Sequence, residues 1–133
     1  MRFHTAHKLT LMAHSVKGYE QLRRLVARAK SLPRRKVETG YVEGFMNALA
    51  IVVTPRRHVN VLQHMAGYFK AQLDAADRDE LQAVIEEYRR GFVPLVAPIT
   101  LVRHHIRRCD VAYLAGQSYV SPHPTELMLR NHV

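Results

Sequence analysis

The chain has 133 residues, 47% of them hydrophobic, with only six glycines and six prolines, which fits one compact ordered domain over 1–133 and excludes a low-complexity polymer. A formal charge of +9 at pH 7 and a pI near 10.2 favour polyanionic partners, while saying nothing about fold. Cys109 is the single cysteine, which excludes an intrachain disulfide and a cluster held by this chain's thiolates alone; no apolar run reaches the length of a membrane span or resembles a secretory leader, so a cytoplasmic protein without a membrane partner is expected.

The hydrophobic periodicity predicts an all-α fold, a single compact bundle of about six helices. His4, His7, Leu11 and His14 follow one stripe of a first helix. Leu22, Leu25, Val26 and Ala29 mark the inner face of a second, with Arg23, Arg24 and Arg28 elsewhere on the wheel and Pro33 ending it. A third helix is expected over Val37 to Val53, with Gly40 and Gly44 weakening its first half. Thr54 is a good N-cap and Pro55 suits the first helical position, so a helix starts there, with Leu62, Met65, Ala66, Phe69 and Leu73 as its apolar stripe. Asp74, followed by Asp77, caps a helix buried through Leu81, Val84, Ile85 and Tyr88, and Gly91 ends it. Pro94 and Pro98 open another, whose inner face is Leu95, Ile99, Val102 and Ile106. From Tyr113 the pattern is irregular, Pro122 and Pro124 break it, and Thr125 to Arg130 form a short closing helix.

Charge is unevenly spread over this frame. Eight basic residues and one acid, Glu20, lie between Lys17 and Lys36; six acids and one base, Arg78, lie between Asp74 and Glu87. Fifteen arginines stand against five lysines. Lysine suffices for solubility, whereas the planar guanidinium binds phosphate with two parallel hydrogen bonds and stacks on rings, so the bias points to an anion-holding surface, with nucleic acid first.

The candidate nucleic-acid contacts fall into three groups. Arg23, Arg24, Arg28, Arg34 and Arg35 make a basic stretch suited to phosphates. Arg56 and Arg57 occupy a first helical turn, and Arg57, Asn60, His64 and Tyr68 recur at helical spacing as a stripe suited to a sugar or an unstacked base. The bland alternative is that Asn60 and His64 bond neighbouring helices inside the bundle. Arg103, His104, Arg107 and Arg108 place like charges four residues apart, a repulsion that a bridging anion would relieve; a solvated basic face is the alternative. His4 and His7 lack the further ligands that a metal requires, so no metal site and no cofactor are expected. Glycine-rich phosphate loops, nucleophile elbows and paired carboxylates are missing, which leaves His7, His64 and His104 as the only catalytic candidates, and Cys109 reads as a small packing residue.

Several blocks are specific enough to carry a resemblance. They are Phe3-His4-Thr5-Ala6-His7-Lys8-Leu9 with Met12-Ala13-His14-Ser15, Arg57 through His64 with Gly67-Tyr68-Phe69-Lys70, and Tyr88-Arg89 with Gly91, Val93-Pro94-Leu95, Pro98, His104-His105 and Arg107-Arg108. With the closing Pro122-His123-Pro124 and Glu126 to Val133, the chain resembles the YbgA-like family over nearly its whole length. The resemblance implies a domain of unknown function that occurs alone and as the C-terminal part of fusions to a cysteine-rich, iron–sulfur desulfidase domain associated with thiolated uridine in tRNA. By that resemblance this domain grips RNA, and a desulfidase partner acts in cis or in trans; the partner's cysteines are not in this chain, so its activity does not carry over. The expected function is an RNA-binding, in particular tRNA-binding, accessory domain that presents substrate to a modifying partner. Two alternatives stand beside it: a histidine-dependent enzyme acting on a modified nucleotide or other anionic small molecule, and a protein-interaction adaptor for the desulfidase.

Overall fold

The computed structural model describes residues 2–121, all of whose regular structure is helical. These residues form eight α-helices, six of them of seven residues or more: α1 (Arg2–Ala6), α2 (Lys8–His14), α3 (Val16–Ala27), α4 (Arg34–Leu49), α5 (Pro55–Ala66), α6 (Ala75–Arg89), α7 (Val96–Arg108) and α8 (Ala112–Ala115). The expected all-α fold is therefore present. The expected closing helix at Thr125 to Arg130 lies outside the described residues.

Two cores share one short helix. Leu11, Tyr19, Leu22, Tyr41 and Ala48 join α3 and α4 into a hairpin, while Leu9, Leu62, Met65, Leu81, Ile85, Ile99, Val102 and Leu114 fill a larger core among α5 to α8. α2 lies between them, burying Leu9 and Ala13 on one side and Leu11 on the other, with Met12 touching both. Each fully buried leucine contributes about 1.5–3 kcal/mol of transfer free energy, which is how a seven-residue helix too short to stand alone is held.

Local chemistry sets the ends. The single stripe read through His4, His7, Leu11 and His14 is interrupted at His7, between α1 and α2, and just past its end Ser15 turns extended and its hydroxyl accepts from the Gly18 N–H at 2.9 Å, starting α3 afresh. The third helix begins at Arg34 and stops at Leu49, earlier at both ends than expected, since Pro33 cedes the first turn and the chain must reach Thr54. Thr54 and Asp74 cap as expected, accepting from the N–H groups of Arg57 and Asp77 at 3.3 and 2.8 Å. Phe69 and Leu73 are buried as the stripe implied, but beyond the end of α5, in the turn before and just after the short 3-10 segment Lys70–Gln72.

Glycines that weaken α4 in isolation serve its packing. A Cβ on Gly44 would stand 2.8 Å from Leu22, and one on Gly18 of α3 would stand 2.9 Å from the Ala48 Cβ. The hairpin backbones thus approach more closely than any side chain at these positions permits. α6 ends with Gly91 at φ 80°, where the Phe92 N–H reaches the Glu87 carbonyl and the Gly91 N–H that of Tyr88. α7 closes the same way through Asp110, a residue with a side chain, at φ 55°.

Candidate nucleic-acid interface

The tip of the α3–α4 hairpin is where charge is least opposed. Arg23 is bonded to Glu20 and Arg34 to Glu38, each at 2.9 Å, on solvent-exposed surfaces. Arg24, Arg28, Lys30, Arg35 and Lys36 are exposed, and among the described residues no carboxylate pairs with them. Five candidate arginines of the sequence are thereby gathered on one hairpin: Arg23 and Arg34 carry partners, while Arg24, Arg28 and Arg35 remain open to phosphate. A shallow apolar groove of about 440 Å³, lined by Ala29, Leu32, Val37, Tyr41 and Val42, runs beside them.

The stripe expected on α5 is split by the structure. Arg56 is exposed, but the half-buried Arg57 donates to the carbonyl of His14 at the end of α2, where a cation suits the unsatisfied carbonyls of a helix C-terminus. Asn60 and His64 are exposed, so neither serves as a buried bond between helices. Tyr68 lies past the helix end and reaches across to α8: its ring stacks on Tyr113 with centroids 5.4 Å apart, and His64 meets it edge-on at 5.8 Å. Burial and then the nearby Lys8 ammonium push the His64 imidazole below its ordinary pKa. Lys8 also stands 5.8 Å from the centre of the Tyr19 ring. Burial raises the Tyr113 phenol, with Tyr68 and Tyr19 adding to the effect. Lys8, Tyr19 and Tyr113 were not singled out by sequence reasoning, and no local pattern marks them, because three different elements bring them to His64 and Tyr68.

On α7 the basic residues meet acids. Arg108 bonds Asp77 of α6 at 3.1 Å, so a neighbouring helix supplies part of the anion that the spacing called for. Arg103 and Arg107 line a groove of about 270 Å³ together with Asp110 and Ser121. His104 is exposed, whereas His105 is 1% exposed and packs against Phe69 at 5.7 Å, and among the described residues neither of its ring nitrogens has a hydrogen-bond partner. Burial, and then His104, hold it below its ordinary pKa.

The other histidines among the described residues make contacts within the fold. His4 is buried against Tyr19 and hydrogen-bonds the Tyr41 hydroxyl at 3.1 Å, and burial keeps its pKa low. His7 stacks on Phe3 at 4.2 Å and donates from Nδ1 to the Phe3 carbonyl. His14 donates to the Ile51 carbonyl, and His58 is bonded to the Tyr119 hydroxyl at 2.6 Å in the core. The catalytic candidates His7, His64 and His104 have separate neighbours, and among the described residues no group of three or more histidine, cysteine and carboxylate side chains is placed to hold a metal. Cys109 packs on the core edge. Among the described residues no helix is long and apolar enough to cross a membrane.

Residues 8–124 match a family model described as a protein of unknown function, DUF1722. The chain is 32% identical over 133 residues to the uncharacterized protein YbgA of Escherichia coli (strain K12), an alignment covering 97% of this chain and 77% of that protein. No solved structure matches.

Proposed function

The chain belongs to the DUF1722 family, and from that premise we propose that it is an RNA-binding accessory domain, with tRNA its substrate class, that presents the RNA to a nucleotide-modifying partner such as a desulfidase. The observation that carries this reading is the hairpin tip, where Arg24, Arg28, Lys30, Arg35 and Lys36 are exposed and, among the described residues, none of them is ion-paired, the nearby Glu20 and Glu38 being bonded to Arg23 and Arg34. A surface meant only for solubility gains nothing from concentrating like charge on one tip; a polyanion relieves that repulsion and releases counterions as it binds. Guanidinium forks dominate, as phosphate recognition favours.

Asn60 and His64 support the same reading from a second direction. They are exposed polar groups of the kind that bond a sugar edge or a base, on a helix whose apolar face is buried. The test is filter binding of purified tRNA to the whole protein at low salt, repeated as salt is raised. A saturable complex whose log affinity falls linearly with log salt is expected. Absence of any saturable complex at low salt would sink the proposal.

A further inference from the structure

We propose that the Tyr68–Tyr113 ring pair, with the groove beside it between α1 and α8, is a stacking site for an unpaired nucleobase, so that the RNA is taken as a single-stranded segment with Arg2 and Lys8 on its flanking phosphates. The inference rests on the RNA-binding reading and deepens it. Tyr68 and Tyr113 are 43% and 36% exposed, yet they stack on each other at 5.4 Å with planes 25° apart. Together with His64 they form a continuous run of ring surface facing solvent. Phenols that cover a core are buried by it, as Tyr119 is; these are held at the surface by one another.

The surroundings are those of a nucleotide site. Tyr113 also lines a groove of about 420 Å³ whose other walls are Arg2, Thr5, Ala6, Gly116 and Gln117, within the size range of small-ligand sites. Its floor is fixed: the Gln117 amide donates to the Thr5 carbonyl at 2.7 Å and accepts from the Leu9 N–H at 3.3 Å. That amide is committed to the fold, leaving ring faces and cations as the recognition elements. Arg2 lies at the groove and Lys8 beside Tyr19 and His64, so a base on the tyrosines would carry its phosphates toward positive charge. Glu20, the carboxylate near Lys8, is taken up by Arg23.

Exposed rings select the strand state. A duplex keeps its bases stacked on one another and offers phosphates and hydroxyls, whereas a single strand offers faces to aromatic side chains. The groups available here serve the second kind of ligand.

The test compares a short single-stranded RNA carrying 2-aminopurine with the same strand annealed to its complement, both bound by the whole protein. The single strand should bind about tenfold or more tightly than the duplex, with its fluorescence quenched on binding. Tyr68→Ala and Tyr113→Ala should each lower single-strand affinity about tenfold, abolish the quenching and leave duplex affinity unchanged. Tyr68→Phe and Tyr113→Phe, which keep the rings, should retain both properties. Equal affinity for the two forms, or alanine variants that leave the single strand unaffected or weaken both forms alike, overturns the stacking site while RNA binding stands. No binding of either form or of tRNA overturns the RNA reading itself.

Discussion

The hairpin tip and the α7 surface look alike in sequence, each an arginine-rich stretch of one helix and its end, and the fold treats them differently. At the tip, α3 and α4 bring Arg24, Arg28, Lys30, Arg35 and Lys36 into solvent, and the nearby acids are bonded to Arg23 and Arg34. On α7, Arg108 is tied to Asp77 and the groove at Arg103 and Arg107 contains Asp110. The basic character of a segment is a local property; the potential it presents is decided by the charges that other elements bring to it.

The largest expected effect separates these two surfaces directly. Replacing Arg24, Arg28 and Arg35 together by alanine should lower tRNA affinity about a hundredfold at low salt and reduce the salt slope by about one for each phosphate no longer neutralised. The same treatment of Arg103, Arg107 and Arg108 should cost less than about tenfold. Equal losses from the two triple variants, measured by filter binding across a salt series, would show that the neighbouring acids do not decide the matter.

A second substitution attacks the hairpin itself. Gly18→Ala puts a methyl 2.9 Å from the Ala48 Cβ, which has no rotamer to move away. We expect a destabilisation of about 1–3 kcal/mol in urea unfolding, since overpacking outweighs the helix propensity gained. Gly40→Ala, whose methyl would meet the flexible end of Leu25 at 3.2 Å, should change stability by less than about 1 kcal/mol.

What was legible in the sequence is what depends on near neighbours. The caps at Thr54 and Asp74, the stop at Gly91 and the inward faces of α5 to α7 follow from spacing, and each is present, except that Val84, expected in the buried face of α6, is only partly buried. The break at His7 between α1 and α2 escapes a periodicity reading because the histidine and leucine stripe continues across it, whereas the start of α3 at Ser15 rests on a strong capping residue just past the stripe's end. Arg57 fits a recognition stripe by spacing; only the packing of α2 against α5 turns it to the His14 carbonyl. The aromatic cleft was half legible, through His64 and Tyr68. Tyr113 and Lys8 join them across 45 and 60 residues of chain, a proximity no local periodicity encodes.

Beneath the α7 surface, His105 provides a test by pH. Its imidazole is held below the ordinary value of about 6.5, so just below that value the unfolded chain binds more protons than the folded one. Stability from this group is therefore complete above about pH 6.5 and is lost as pH falls through it. Unfolding free energy should decline on acidification from neutral pH, and His105→Leu should flatten part of that decline, His4 accounting for another part. A His105→Leu profile parallel to the parent's would remove His105 from the account.

Asp110 and Asp77 give the finest tests of the contrast, because each is an acid set among the arginines of α7. Asp110 adopts φ 55°, which glycine takes without a steric cost, so Asp110→Gly should stabilise by up to about 1 kcal/mol in thermal or urea unfolding. It also removes a carboxylate from the groove of Arg103 and Arg107. Asp77→Asn frees Arg108 from a partly exposed ion pair, worth at most about 1 kcal/mol to stability. It leaves the Asp77 N–H bonded to Asp74, so the start of α6 persists. Affinity for tRNA should rise only about twofold, with a slightly steeper salt slope, as one guanidinium becomes available to phosphate. The direction is the informative part. A fall in affinity would mean that the Arg108–Asp77 pair positions α7 for binding, and the α7 surface would then belong to the interface through its acids as well as its arginines.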